Sequence, residues 1–128
     1  MSHAKEVKLM RGRARAFLAR AEDSLRAGDY DVACFLAEQA VQIHLKSLLL
    51  EEVGDFPRTH SISVLIGLMR RIPKYGDLVE LLEKKRAEVK ALEGAYIASR
   101  YLPVEYGEDD AKALVGLARE VLSFGPVP

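Results

Sequence analysis

Cysteine is nearly absent from this chain: one residue, Cys34, in 128. No internal disulfide can form, and nothing argues for an oxidising compartment. Long apolar runs are missing as well. No uncharged stretch approaches the roughly 18 residues that cross a bilayer, and the charged start, with Lys5, Glu6, Lys8, Arg11, Arg13 and Arg15, leaves no room for a signal-peptide core. The expectation is a soluble, unprocessed protein of the cytoplasm. A net field is missing too. With 19 basic residues against 19 acidic ones, nothing in the overall charge draws the chain to nucleic acid. There is no Cys-x-x-Cys, no His-Glu-x-x-His, no glycine-rich phosphate loop and no aspartate pair of the magnesium-holding type. These gaps predict no resident metal, no cofactor and no self-contained nucleotide transfer.

What is present is the material of one globular domain over residues 1–128, long enough to bury about two-thirds of its unfolded surface without staples. Its most distinctive stretch runs from Asp29 to Lys46. Apolar side chains occupy positions 32 to 37, 40, 41, 43, 45, 48 to 50 and 53, well beyond the roughly 100° stripe of a half-exposed helix. This helix is therefore expected at the centre of a bundle, with Cys34 as a small buried hydrophobe rather than a nucleophile. Gln39, His44 and Lys46, set into it, need partners or a solvent-lined cleft, because an unpaired buried polar group costs about 1–3 kcal/mol.

Helical periodicity appears in five blocks and strand alternation in none. Met10, Ala14, Phe17 or Leu18, Ala21 and Leu25 form the first stripe, which Gly28 ends, and Asp29 is placed to cap the second helix. That helix runs to about Val53, before Gly54, Asp55, Phe56 and Pro57. A shorter block starts near His60 or Ser61 and ends at Pro73, followed by a turn to Asp77. The fourth places Leu78, Leu81, Leu82, Val89, Leu92 and Tyr96 on one helix. After Ser99 the run from Arg100 to Gly107 reads as loop, since Pro103 pushes Leu102 out of helical geometry. The last helix has Asp109 and Asp110 in its first turn. Short connections favour antiparallel neighbours, so the predicted fold is all-α, an up-and-down four-helix bundle with a short additional helix.

Charge is unevenly distributed along this frame. Residues 1–20 hold six bases against Glu6 alone, whereas residues 105–120 hold five acids against Lys112 and Arg119. Arg11 and Arg15 share a helix face. A solvated arginine face pairing with acids elsewhere in the fold is preferred here to an RNA-binding stripe.

Candidate site residues are the polar ones near helix ends: Lys46, His60, Arg100, Tyr101 and Tyr106, with Gln39 and Tyr96 further inside. Lys46 either snorkels its amine to solvent or a carboxylate, or meets a phosphate. Gln39 either fastens two helices or reads a base. His60 fits a helix-entry ring packed on the bundle, and also an imidazole acting on a ligand. Arg100 beside Tyr101, just before a proline-fixed loop, suits bidentate binding of phosphate or carboxylate with a stacking surface nearby; the same arginine could satisfy the last helix carbonyls or pair with Asp109.

Asp29-Tyr30, Ala33, Phe35, Ala37, Gln39-Ala40, Leu45-Lys46 and Leu48, then Arg58 with His60-Ser61-Ile62 and Leu65, then Tyr96, Ser99 and Arg100-Tyr101 together resemble the HEPN domain, whose name abbreviates "higher eukaryotes and prokaryotes nucleotide-binding". The resemblance spans about residue 10 to residue 124. It implies a helical bundle that commonly dimerises. In the small prokaryotic branch to which this chain is similar, it implies a domain working beside a minimal nucleotidyltransferase, in some cases as a toxin–antitoxin pair. In the other branch the domain is a metal-independent ribonuclease using an arginine followed four to six residues later by a histidine. Arg100 matches that arginine, but Tyr101 to Tyr106 contain no histidine.

Metal-free RNA cleavage needs one group to take a proton from the ribose 2′-hydroxyl and another to protonate the leaving oxygen, tasks that suit imidazole. The leading expectation is accordingly a non-catalytic homodimeric module that binds a nucleotide or phosphate-bearing ligand through Arg100, Tyr101, Lys46, His60 and Gln39. The alternatives are a divergent ribonuclease using Arg100 with His60 or Glu105, and a ligand-free dimeric interaction protein.

Overall fold

A computed structural model describes residues 3–102 and 104–125 of the chain, except for the side chains of residues 99 and 100. It contains six α-helices: α1 (Ala4–Ala27), α2 (Tyr30–Val53), α3 (Ile62–Met69), α4 (Gly76–Lys84), α5 (Arg86–Tyr101) and α6 (Glu108–Leu122), with a 3₁₀ turn at Pro73–Tyr75. There is no strand among the described residues. The long helices α1, α2, α5 and α6 form the bundle, as the spacing predicts, and α3, the 3₁₀ turn and α4 make the crossover between α2 and α5.

The turn between α1 and α2 sets the first antiparallel pair. Gly28 takes a left-handed φ of 83°; its N–H donates to the Leu25 carbonyl at 3.2 Å, and the Asp29 N–H donates to the Ser24 carbonyl at 2.9 Å. These bonds satisfy carbonyls that the helix end would otherwise orphan. A Cβ on Gly28 would meet nothing within 4 Å, so only its φ resists substitution. Gly28→Ala is expected to cost about 1–2 kcal/mol of stability in a urea titration; a cost near zero would show that the turn relaxes. Asp29 stands at the start of α2 as expected, but its side chain makes no capping bond.

α2 packs against α1, α3, α5 and α6. Its buried residues include Ala33, Cys34, Ala37, Val41, Leu45, Leu48 and Leu49, with Ala40, Ser47 and Leu50 beyond them, and cover more than half of the helix circumference, as the broad apolar pattern expects of a central helix. Ala14 and Ala21 of α1, both without exposed surface, allow that helix to approach closely. Cys34 is buried too. Burial, together with nearby Asp110 and Asp31, pushes its thiol up to about 12, far from the thiolate that a nucleophile needs.

Three local expectations are corrected. The fourth block is two helices, because Lys85 leaves helical geometry with φ −101° and ψ 37°. Between Leu82 and Val89 no side chain reaches the core, and nothing holds a continuous helix down through that stretch. α5 continues through Tyr101 instead of ending at Ser99. Arg11, expected on a solvated face with Arg15, is buried, with only 5% of its surface exposed, and its Nη2 donates to Glu51 Oε1 at 2.8 Å across the α1–α2 pair.

Candidate ligand-binding cleft

α2 carries a line of polar side chains out of the core. Glu38, Gln42 and Lys46 recur every four residues and so share one face. Gln42 Nε2 donates to Glu38 Oε2 at 2.7 Å, and Lys46 Nζ donates to Gln42 Oε1 at 2.9 Å. The remaining Glu38 oxygen accepts from Gln39 Nε2 at 2.8 Å. Glu38 has no exposed surface. Burial pushes its carboxyl up to about 7 against the opposing bonds from Gln39 and Gln42 and the charge of Lys46, with Glu93 of α5 adding to the rise.

The line opens into a cleft of about 540 Å³ between the start of α1, the end of α2 and the loop after Gly54. Leu9, Met10, Ile43, Leu50 and Phe56 supply its apolar surface, and Arg13, Lys46 and Arg58 its positive charge. Gly54, with φ 87°, turns the chain so that Phe56 faces back toward α2. Lys46 Nζ lies 5.9 Å from the centre of the Phe56 ring and the Arg58 guanidinium 5.8 Å from the same ring, distances at which a ring face attracts a cation. Burial lowers the Lys46 amine from its ordinary range; Glu38 raises it and Arg58 lowers it further.

Two acids, Glu6 and Asp55, share this wall. Glu6 is 3.4 Å from His3 Nδ1, and Asp55 Oδ1 accepts the Phe56 N–H at 2.8 Å. Lys46 uses only one of its three hydrogens in the bond to Gln42. The cleft therefore presents cationic donors with capacity to spare beside an aromatic face.

Of the predicted site residues, Lys46 lines the cleft and Gln39 joins it through Glu38. His60 stacks on Tyr96, with ring centres 4.4 Å apart, and its Nε2 is 3.2 Å from the Tyr96 hydroxyl. Tyr96 in turn leans on Phe35 of α2. The ring of His60 is thus packed on the bundle, with its bond to a side chain. Tyr101 is 66% exposed at the end of α5. The Arg100 side chain lies outside the described residues. Glu105 lines a separate pocket of about 340 Å³ with Asp29, Tyr30 and Tyr106. His44, assigned no role from sequence, is a core residue whose Nε2 donates to the Phe124 carbonyl at 2.7 Å.

Sequence reasoning missed Glu38, Gln42, Phe56 and Arg13 as site residues, and used Arg58 only as part of a family pattern. The four-residue spacing of Glu38, Gln42 and Lys46 was a usable signal. Among the described residues no group of His, Cys, Asp or Glu is placed to hold a metal ion, and no helix is long and apolar enough to cross a membrane.

Residues 7–126 match the family model described as the HEPN domain. The structure is similar to the crystal structure of TT1696 from Thermus thermophilus, with 32% identity, a TM-score of 0.70, and 91% of this chain and 93% of that one covered. It is also similar to that of ST0689, described as an archaeal HEPN homologue, with 27% identity, a TM-score of 0.67 and coverage of 91% and 92%. No curated protein matches the chain.

Proposed function

Because the chain belongs to the HEPN domain family, we propose that it is a binding module whose cleft between α1, α2 and the loop after Gly54 takes a phosphate-bearing ligand, a nucleotide in the first instance. The observation that carries this reading is the meeting of Lys46 and Arg58 on the Phe56 ring, with Arg13 on the opposite wall. A phosphate suits the ammonium and guanidinium donors. A base suits the aromatic ring and the aliphatic floor, because stacking on an aromatic contributes about 1–3 kcal/mol per base.

Members of the family often dimerise. Ile97, Tyr101, Leu102 and Val104 leave an exposed apolar strip along the end of α5 and the following loop, which suits a homodimer. We place the binding in such a dimer, acting beside a minimal nucleotidyltransferase in the manner of a toxin–antitoxin pair. Arg100 and Tyr101 remain proposed ligand contacts from the partner-facing end of α5. The ribonuclease alternative has less support. Its two candidate bases are not among the residues lining this cleft: His60 is engaged with Tyr96, and Glu105 borders the pocket at the α1–α2 turn.

Calorimetric titration with ATP, GTP and their monophosphates tests the reading. Loss of a charge-assisted hydrogen bond costs about 1.5–3 kcal/mol, so Lys46→Ala and Arg58→Ala are each expected to weaken binding about ten- to a hundredfold. Total RNA is expected to survive incubation with the protein and a chelator. Absence of heat with every nucleotide would defeat the ligand reading.

A further inference from the structure

A carboxyl in the middle of an all-helical core is costly, and apolar replacement of buried charged groups is often neutral or stabilising. Glu38 is such a group, without exposed surface, and stability alone gives no reason to keep it. One of its bonds leads to the cleft. The carboxylate accepts from the Gln42 amide nitrogen at 2.7 Å, and this fixes the amide so that its oxygen receives the Lys46 ammonium at 2.9 Å. The orientation of one buried carboxylate thus reaches the wall of the cleft.

We propose that this ladder makes anion capture in the cleft proton-coupled, with Glu38 as a positioning residue that releases Lys46 to the ligand when it takes up a proton. The inference rests on the ligand reading above. In the ionised state both Glu38 oxygens are acceptors facing amide N–H groups. One proton from solvent converts an oxygen into an O–H donor, which then needs an acceptor. A half-turn of the Gln42 amide supplies one: its oxygen swings to the Glu38 O–H and its NH₂ swings toward Lys46. Lys46 loses its acceptor and is left to the anion, and the amide adds a donor of its own. Loss of the Glu38 charge also weakens the negative potential that reaches the cleft from behind Lys46, so both effects favour binding. By reciprocity, the bound anion favours the protonated carboxyl.

The surrounding charges are consistent with a group poised between its two states. Glu93 faces Glu38 from α5 and favours its protonation, while Lys46 on α2 opposes it. The Glu93 carboxylate is held at the start of α3 by the Ser61 and Ser63 hydroxyls and the Ser63 N–H. Arg58 faces Lys46 from the loop, and His3, Glu6, Arg13 and Asp55 face the same cleft. With burial as its main cause, the Glu38 carboxyl is pushed up to about 7, close to the pH of ordinary solution.

The test uses a dinucleoside monophosphate, because a phosphodiester keeps its single charge across the range whereas a terminal phosphate titrates near 6. The full chain is titrated at about pH 6, 7 and 8 in two buffers of unequal ionisation heat. From pH 8 to pH 6 the Kd is expected to fall about five- to tenfold, with net proton uptake near pH 7. E38Q presents a permanent amide donor to Gln42 and is expected to bind tightly at every pH. Q42M cuts the ladder and leaves Glu38 in place, and is expected to reduce proton uptake to what the Glu38 charge alone contributes through space. A wild-type Kd that does not change with pH overturns the coupling and leaves the ligand reading standing. A pH dependence that persists in E38Q transfers it to another group of the cleft and overturns the inference. No binding at any pH overturns the coupling, and if ATP, GTP and their monophosphates are equally inert the ligand reading falls with it.

Discussion

Leu45→Ala is expected to lower the unfolding free energy by about 2–5 kcal/mol, the range for deleting a buried leucine side chain. The upper half of that range is the expectation because of where Leu45 sits. It has no exposed surface and belongs to the continuous core cluster, on a helix packed against four others. A site at the edge of a core can collapse into the space a deletion leaves, but α2 is held by α1, α3, α5 and α6 and has little freedom to move. The loss combines apolar area returned to water with contacts forfeited around the cavity, and corresponds to a fall in Tm of roughly 15 °C. Val53→Ala, at the same chemical scale but 65% exposed, is expected to stay within about 0.5 kcal/mol of the parent. Urea unfolding of both variants checks the contrast. Equal losses would mean that α2 is not the axis of the bundle.

The part of this architecture legible in the sequence is the part written in periodicity. Residues 32 to 50 are apolar in every direction of a 3.6-residue turn, and only a central helix accommodates that. The HEPN resemblance, carried by residues in α2, at the start of α3 and at the end of α5, is borne out by the match over residues 7–126. What could not be read is decided by contacts between residues distant in sequence. Arg11 and Arg15 share one face of a helical wheel, and what distinguishes the buried Arg11 is its pairing with Glu51, 40 residues away on the antiparallel helix. The break at Lys85 has neither glycine nor proline to announce it; it falls where a run of charged residues offers the core no anchor. Glu38 stands beside Gln39 in the sequence and resembles a solvated glutamate until α5 closes over it with Glu93. The cleft depends on Gly54 turning Phe56 and Arg58 back over Lys46, and no local pattern specifies the direction of that turn.

The second large effect expected is a pH response that the wild-type protein conceals. Burial holds the Glu38 carboxyl up at about 7, from an ordinary value of 4.5. Such a group favours the folded state most below 4.5, and that stability is lost as pH rises through about 7. His44 does the opposite. Burial pushes its imidazole down to about 4 from 6.5, against the raising effect of its bond to Phe124 and with help from Arg11 and Arg15. Its contribution is present above 6.5 and lost as pH falls toward about 4. Each swing is worth about 3 kcal/mol, and between 4.5 and 6.5 the two slopes have opposite signs, so these two groups largely cancel in the intact protein. Removing either one should expose the other. E38Q is expected to gain stability relative to wild type as pH rises from about 4.5 to about 7. His44→Gln keeps a donor for the Phe124 carbonyl, and is expected to lose stability relative to wild type as pH rises from about 4 to about 6.5. Urea midpoints of the three proteins at about pH 4, 5.5 and 7.5 would reveal the crossing, and taking each variant against wild type removes the titration of exposed carboxylates common to all. Parallel curves for the three proteins would show that neither group changes its proton affinity on folding, and would undercut the poised carboxyl on which the proton-coupled cleft depends.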